Sequence, residues 1–386
     1  MNDFIPYGRQ SISEQDIRAV VEVLKSDFLT QGLTVPKFEK KVCEFTGAKH
    51  GIAVNSATSA LHLACLVLDV QKGDLVWTSP ISFVASANCA LYCGADIDFV
   101  DIDEETLNMS TIKLEKKLIE SQAAGRLPKV VIPVHMAGLS CDMEKIHQLS
   151  LQFGFKIIED ASHAIGATYR GHHVGSCAFS HITVFSFHPV KIITSGEGGM
   201  VLCNSVSLAD KVRLLRSHGI TREAQEMINL NDHGPWYYEQ VDLGFNYRMT
   251  DIQAALGLSQ MDRLSSFVNS RNKLALEYKK LLEALPVRTQ ILTSGCTSSY
   301  HLFIIKVPAE DRLRLYNFLK ERNIGVNVHY LPIHLQPYYQ KRGFGRGDFQ
   351  VAENVYSEII TLPLFPDISN ENINFIAMQL RDFYAS

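Results

Sequence analysis

The sequence predicts an α/β fold, in which a mainly parallel sheet covered by helices is followed by a smaller C-terminal α+β domain. Two observations lead there. From about His50 to Cys203, short β-branched runs alternate with helical segments, and each alternation demands a crossover connection of the kind that joins parallel strands. Beyond that region a long helical pattern, Asp251 to Tyr278, leads into a second stretch of mixed elements from roughly Leu285 to Ser386. The expected division is 1–250 for the N-terminal helix and large domain, and 251–386 for the connecting helix and small domain.

Taken in order, Ser13 to Ser26 reads as an amphipathic helix, with Ser13 as cap and Ile17, Val20, Val21 and Leu24 as a packing face. The strand runs are Gly51–Val54, Leu75–Thr78, Ile97–Val100, Val130–Val134, Lys156–Ile158, Ile182–Phe185 and Met200–Leu202. Ligands of such folds gather at the carboxyl ends of the strands, so the segments just after these runs are the ones to search for chemistry.

Composition narrows the function classes. The 386 residues are 46% hydrophobic and 20% charged with a net charge of −4, which is ordinary globular material with no basic run for nucleic acid or an anionic membrane surface. No apolar stretch approaches the roughly 20 residues of a membrane helix. Residues Met1 to Gln10 lack a signal pattern, so a cytoplasmic location is expected. The eight cysteines show no Cys-x-x-Cys pair and no zinc spacing. Cys89 and Cys93, four apart on a predicted helix, read as small core residues, and no metal is expected.

Four segments carry the chemistry. In Phe185-Ser186-Phe187-His188-Pro189-Val190-Lys191, running into Thr194-Ser195-Gly196-Glu197-Gly198-Gly199, Lys191 is a candidate Schiff-base lysine, because a desolvated amine can lose its proton near neutral pH. Asn55-Ser56-Ala57-Thr58-Ser59-Ala60-Leu61 follows a strand and opens a helix; it reads either as a plain cap or as a phosphate seat of small residues and hydroxyls at a positive helix end. Glu159-Asp160-Ala161-Ser162-His163 puts an acidic pair at a strand end, where a carboxylate would keep a pyridine nitrogen protonated; for Asp160 taken alone, a capping or metal role is an equal alternative. Asp160 precedes Lys191 by 31 residues, enough for one excursion and the next strand, so both can end at the same sheet edge. Ser186 would stand there as a further phosphate donor. In Gly244-Phe245-Asn246-Tyr247-Arg248-Met249-Thr250, an amide that can bind phosphate and a guanidinium that can fork onto a carboxylate or diphosphate precede a helix; capping by Thr250 and a surface salt bridge are the plain alternatives. Phosphate seat, strand-end aspartate and strand-end lysine in that order describe a pyridoxal 5'-phosphate enzyme.

These motifs, with Thr30-Gln31-Gly32, resemble the DegT-type nucleotide-sugar aminotransferase family over essentially the whole chain. The resemblance implies a fold-type I aminotransferase with a seven-stranded, mainly parallel sheet and a homodimer with shared active sites. It further implies that Lys191 bonds the cofactor and shuttles the proton, that Asp160 pairs with the pyridine nitrogen, that His163 lies near the ring hydroxyl and that Phe83 stacks on the ring. Ala57, Thr58 and Ser186 would bind the phosphate, joined by Asn246 of the other subunit. Leu33, where many members carry proline, and Ser56-Ala57, where Gly-Thr is commoner, depart from the family pattern and bear on substrate rather than cofactor.

Within the family, Tyr7-Gly8-Arg9-Gln10, Gly234 to Gln240 and Val326 to Tyr339 are similar to the branch that aminates the 4-keto group of a UDP-linked 6-deoxy-N-acetylhexosamine in pseudaminic acid biosynthesis, with L-glutamate as donor. That resemblance implies nucleotide-sugar contacts from Tyr7, Asp27, Phe28, Leu29, Thr30, His329, Tyr330, Leu331 and Pro332, beside Ala57, Ser186, Asn246 and Arg248. His334 reads as either structural or binding. The alternatives are an aminotransferase for a TDP- or GDP-linked keto sugar, or a non-catalytic regulator that binds the same cofactor. Dehydratases of the family carry histidine at the lysine position, and Lys191 argues against that class.

Overall fold

The computed structural model describes residues 3–223, 225, 227–228 and 234–385; Met1, Asn2 and Ser386, the outer limits of the two expected domains, lie outside them. Its centre is a seven-stranded sheet. We label the strands β1 (His50–Val54), β2 (Leu75–Thr78), β3 (Asp96–Phe99), β4 (Val130–Ile132), β5 (Lys156–Asp160), β6 (Ile182–Ser186) and β7 (Gly199–Cys203). They lie in the order β1-β7-β6-β5-β4-β2-β3, and only β7 runs antiparallel to its neighbours. The seven runs expected from sequence are these strands, with ends differing by a residue or two.

Alternate side chains of each strand face opposite layers, as a pleated strand requires. On one face Ile52, Val76, Ile132, Ile158, Val184 and Val201 share a core with α3 (Ala57–Val67), α4 (Ala85–Tyr92) and α7 (Val206–Arg216). On the other, Val131 and Ile157 pack against α5 (Thr111–Ala123) and α6 (Met143–Phe153), and Ala53, Phe185, Met200 and Leu202 against α2 (Thr34–Thr46) and α8 (Asp251–Met261). Both faces are apolar because both are covered, so the strands read as continuous rather than alternating apolar runs.

Two local expectations change. The helix over Asp251 to Tyr278 is two helices, α8 and α9 (Leu264–Leu282), broken at Asp262 and Arg263. α1 (Glu14–Leu24) has the expected Ser13 cap, completed by Asp16 into a capping box. Its packing face is a different one: Ile17, Val21 and Leu24 are exposed, whereas Asp16 and Val23 are buried. The buried Asp16 carboxylate accepts hydrogen bonds from Ser259 (2.6 Å) and Gln260 (2.8 Å) and pairs with Arg263, so polar pairing rather than the apolar stripe docks α1 on α8. In turn Asp251 accepts the backbone N–H of Val35 at 3.0 Å and caps α2 in place of Leu33, whose side chain makes no cap bond.

A separate apolar core joins α9 to the C-terminal elements. Tyr278 stacks on Phe303 with ring centroids 4.8 Å apart, and Leu315, Ile360, Ile376 and Leu380 close around them. A three-stranded sheet of Arg288–Thr289, Phe303–Lys306 and Ile359–Leu362 backs this core. The N-terminal arm crosses to it: Ile5 bridges Ile324, and the Tyr7 carbonyl accepts the N–H of Leu364 at 3.0 Å. That tether brings Tyr7 from the beginning of the chain to the sheet's carboxyl edge.

Candidate active site

Adjacent strands β5 and β6 run parallel with Asp160 opposite Val184, so Asp160 and Ser186 end at one edge. β6 and β7 form a hairpin in which Ser186 pairs with Gly199, and Lys191 stands in the connecting loop. The Phe187 carbonyl accepts the Thr194 hydroxyl at 2.9 Å and the Ser195 N–H at 3.0 Å, which pins the loop's return. A cavity of about 460 Å³ opens at this edge. Lys191, Asp160, His163 and Ser186 line it, and so do Ala57, Thr58 and Phe83. Tyr7, His329 and Tyr330 line it as well.

The end of α3 shows both readings of its motif at once. Ser56 caps the helix through the Ser59 N–H at 3.1 Å. Its first turn, Ala57 and Thr58, nevertheless faces the cavity, where a positive helix end favours an anion. Gly199 makes room for this turn: a Cβ there would stand 2.6 Å from the Ala57 nitrogen and from the Ser56 carbonyl oxygen.

The acidic pair divides by strand alternation. Asp160 turns to the cavity, its carboxylate accepting the hydroxyls of Ser86 and Ser162, each at 2.6 Å. Glu159 turns away to His135 at 2.7 Å and to Ser180 and Thr183. The backbone N–H of Cys141 donates to His135 Nδ1 at 3.1 Å, so the proton that meets Glu159 rides on Nε2. His135 and Glu159 thus brace the segment behind Asp160, whose carbonyl accepts the His135 N–H at 3.1 Å.

Burial lowers the Lys191 ammonium to about 8, against an opposing pull from Asp160. At pH 7 about a tenth of such an amine is unprotonated, far more than of a free lysine. Burial likewise holds His163 well below its usual range and His329 down to about 4, with the Lys191 charge adding to both. The imidazoles facing the lysine are therefore neutral at pH 7. The Tyr330 hydroxyl lies 3.2 Å from His163 Nε2, whereas His163 Nδ1 is buried without a protein partner.

The remaining expected site residues do not meet this cavity within one chain. Asp27, Phe28, Leu29 and Thr30 are exposed after α1, and Asn246 is exposed, its carbonyl accepting the Asn55 amide at 3.4 Å. Arg248 bridges Val54 through the backbone, and Thr250 caps α8 with Gln253 as a capping box. Leu331 and Pro332 follow Tyr330 but lie off the cavity wall. His334 is structural: it is buried, contacts Glu353 at 3.0 Å and packs on Phe349. Ser82, Ser86, Glu197 and His301 belong to the site by position or contact and were missed.

With this geometry in hand, comparison with known proteins decides the family. The sequence pattern of the DegT/DnrJ/EryC1/StrS aminotransferase family matches residues 10–381. The chain belongs to that family. It is 38% identical over 388 residues to the spore coat polysaccharide biosynthesis protein SpsC of Bacillus subtilis, covering 99% of this chain and 97% of that one. It is 37% identical to the UDP-4-amino-4,6-dideoxy-N-acetyl-beta-L-altrosamine transaminase of Campylobacter jejuni, covering 96% and 95% of the two chains. Among solved structures, Helicobacter pylori PseC, an aminotransferase involved in the biosynthesis of pseudoaminic acid, superposes with a TM-score of 0.90 at 32% identity over 99% of this chain and 100% of that one. The protein is a sugar aminotransferase, and aminotransferases of this family depend on pyridoxal phosphate.

The residues present fit that cofactor. A flat phosphorylated pyridine would satisfy the free helix end that Gly199 makes room for, the buried orphan nitrogen of His163, and the Phe83 ring, a cavity-wall residue 58% exposed. Bound, the group supplies an aldehyde that carries the amino group and a conjugated ring that takes up an electron pair. Ala57, Thr58 and Ser186 would hold its phosphate, Asp160 its ring nitrogen and His163 its hydroxyl. Lys191 Nζ would carry the proton that moves during amino transfer.

Proposed function

We propose that this enzyme transfers the amino group of L-glutamate to the 4-keto carbon of a UDP-linked 4-keto-6-deoxy-N-acetylhexosamine, giving UDP-4-amino-4,6-dideoxy-N-acetyl-beta-L-altrosamine. The observation that carries the reading is a part of the cavity lining. Tyr7, His329 and Tyr330 line the same cavity as Lys191, and they come from two of the three segments that single out the pseudaminic acid branch by sequence, in agreement with the Campylobacter relative's name. A site that hydrogen-bonds particular sugar hydroxyls leaves buried partners unpaired when an epimer binds, which permits discrimination of about 10⁴-fold. The test is kcat/KM for UDP-2-acetamido-2,6-dideoxy-β-L-arabino-hexos-4-ulose against its D-xylo epimer and a TDP-linked 4-keto-6-deoxyglucose. Equal or better turnover of either competitor rules out this substrate and leaves the sugar aminotransferase intact.

The active site is read as shared between two copies. Asp27 to Thr30, Asn246 and Arg248 are apart from their own cavity, and beside the first group, which itself exposes Phe28, lie the exposed apolar residues Ile17, Leu24 and Leu33. A second copy covering this face would bring those polar groups to the partner's cavity and bury the stripe. Mixing Lys191→Ala chains with Asn246→Ala chains should then restore a fraction of wild-type sites. Mixtures no more active than the separate variants, with heterodimers demonstrated, would place Asn246 outside the shared site.

A further inference from the structure

His301 has no part in the roles assigned above, yet it is the side chain hydrogen-bonded to the lysine amine. Its Nε2 lies 3.5 Å from Lys191 Nζ, and its ring centroid is 4.4 Å from that of His163. It is buried, and its Nδ1 has no protein partner, so the contact with Lys191 is the one polar use the protein makes of this ring among the described residues.

The backbone around His301 is held in place at some cost. Tyr300 sits at φ 46°, in the left-handed region that favours glycine. Arg271, on α9 and fully buried, donates to the carbonyls of Tyr300 (3.1 Å), His301 (3.2 Å) and Leu364 (2.9 Å). Ser298 accepts the Tyr300 N–H at 3.0 Å, and Ser299 donates to the His163 carbonyl at 2.8 Å. A strained turn fastened by a buried guanidinium, just ahead of the strand Phe303–Lys306, delivers one imidazole to the cavity.

We propose that His301 is the positioning residue of the reactive amine: as a neutral acceptor at Nε2 it fixes where the Lys191 nitrogen stands and how readily that nitrogen gives up its proton. The inference rests on the reading of Lys191 as the reactive lysine. Burial, with the charge of Lys191 next in effect and smaller ones from His163, Arg271 and His329, keeps His301 far below its usual range, so the ring accepts rather than repels. The other ionisable groups around the amine are Asp160, which favours its charge, the neutral His163 and His329, and Tyr7, Tyr330, His188 and Glu197 on the cavity wall. An acceptor bound to the ammonium favours the charged form, so removing it should lower the lysine's midpoint.

The test uses the full-length chain stripped of cofactor. Lys191 is labelled with acetic anhydride across pH, read by peptide mass spectrometry, and cooperative thermal unfolding checks the fold of each variant. The wild type should show a midpoint near 8. His301→Phe, which has no acceptor, and His301→Asn, which is too short to reach, should both move the midpoint down by about one pH unit. His301→Gln, which places an amide oxygen near the position of Nε2, should keep the wild-type value. If Phe fails to fold, Asn decides. Unchanged or raised midpoints in Phe and Asn overturn the inference while leaving Lys191 as the reactive amine. So does a fall in Gln equal to that in Phe, since packing alone would then set the lysine. A wild-type midpoint at the ordinary lysine value of about 10.4 overturns both readings together.

Discussion

Replacing Lys191 by alanine is expected to reduce amino transfer by at least about 10⁴-fold, because in the proposed roles one atom, Nζ, would both bond the cofactor and carry the migrating proton. The structure gives that atom what the role needs: a half-buried place on the hairpin loop between β6 and β7, a pKa of about 8 and neutral histidines around it. The variant should still take up pyridoxal phosphate, since Ala57, Thr58, Ser186 and Asp160 belong to other elements and lose no contact. Steady-state turnover and equilibrium dialysis of the cofactor separate these effects. Wild-type transamination by Lys191→Ala would end the assignment.

Asp160→Asn is expected to lower the rate by about 10²- to 10³-fold with the fold intact. The carboxylate is held by two short hydroxyl hydrogen bonds, from Ser86 to one oxygen and from Ser162 to the other; asparagine can keep one of them through its amide oxygen, while its NH₂ group faces the other hydroxyl, which must turn to accept. The neutral amide is also a poor partner for a protonated ring nitrogen in a water-poor cavity. The loss should fall on kcat far more than on thermal stability. A near-normal kcat would remove Asp160 from the chemistry.

The parts of this protein set by local sequence were legible in it. Alternating strands and helices, the Ser13 and Thr250 caps, and the three motifs at the carboxyl edge each depend on residues within a few positions of one another. What stayed hidden depends on pairing across the chain. Ser86 meets Asp160 across 74 residues, and His301 meets Lys191 across 110. A lone serine in Ala85-Ser86-Ala87 or a lone histidine in Tyr300-His301-Leu302 carries no pattern that would single it out. The α1 stripe misled for a related reason: helical spacing of Ile17, Val21 and Leu24 signals an apolar face but not what covers it. His334 resolved to structure because Glu353 and Phe349, distant in sequence, enclose it.

The central claim is that nitrogen from L-glutamate ends on C4 of a UDP-linked sugar. It is tested most directly by incubating the holoenzyme with L-glutamate carrying an isotope-labelled amino nitrogen and UDP-2-acetamido-2,6-dideoxy-β-L-arabino-hexos-4-ulose, then analysing the product by NMR. Labelled nitrogen bonded to C4 in the altro configuration is expected, with one equivalent of 2-oxoglutarate released. Label retained in glutamate with this UDP-linked sugar, while a TDP- or GDP-linked keto sugar supplied in its place takes up the label, would contradict it.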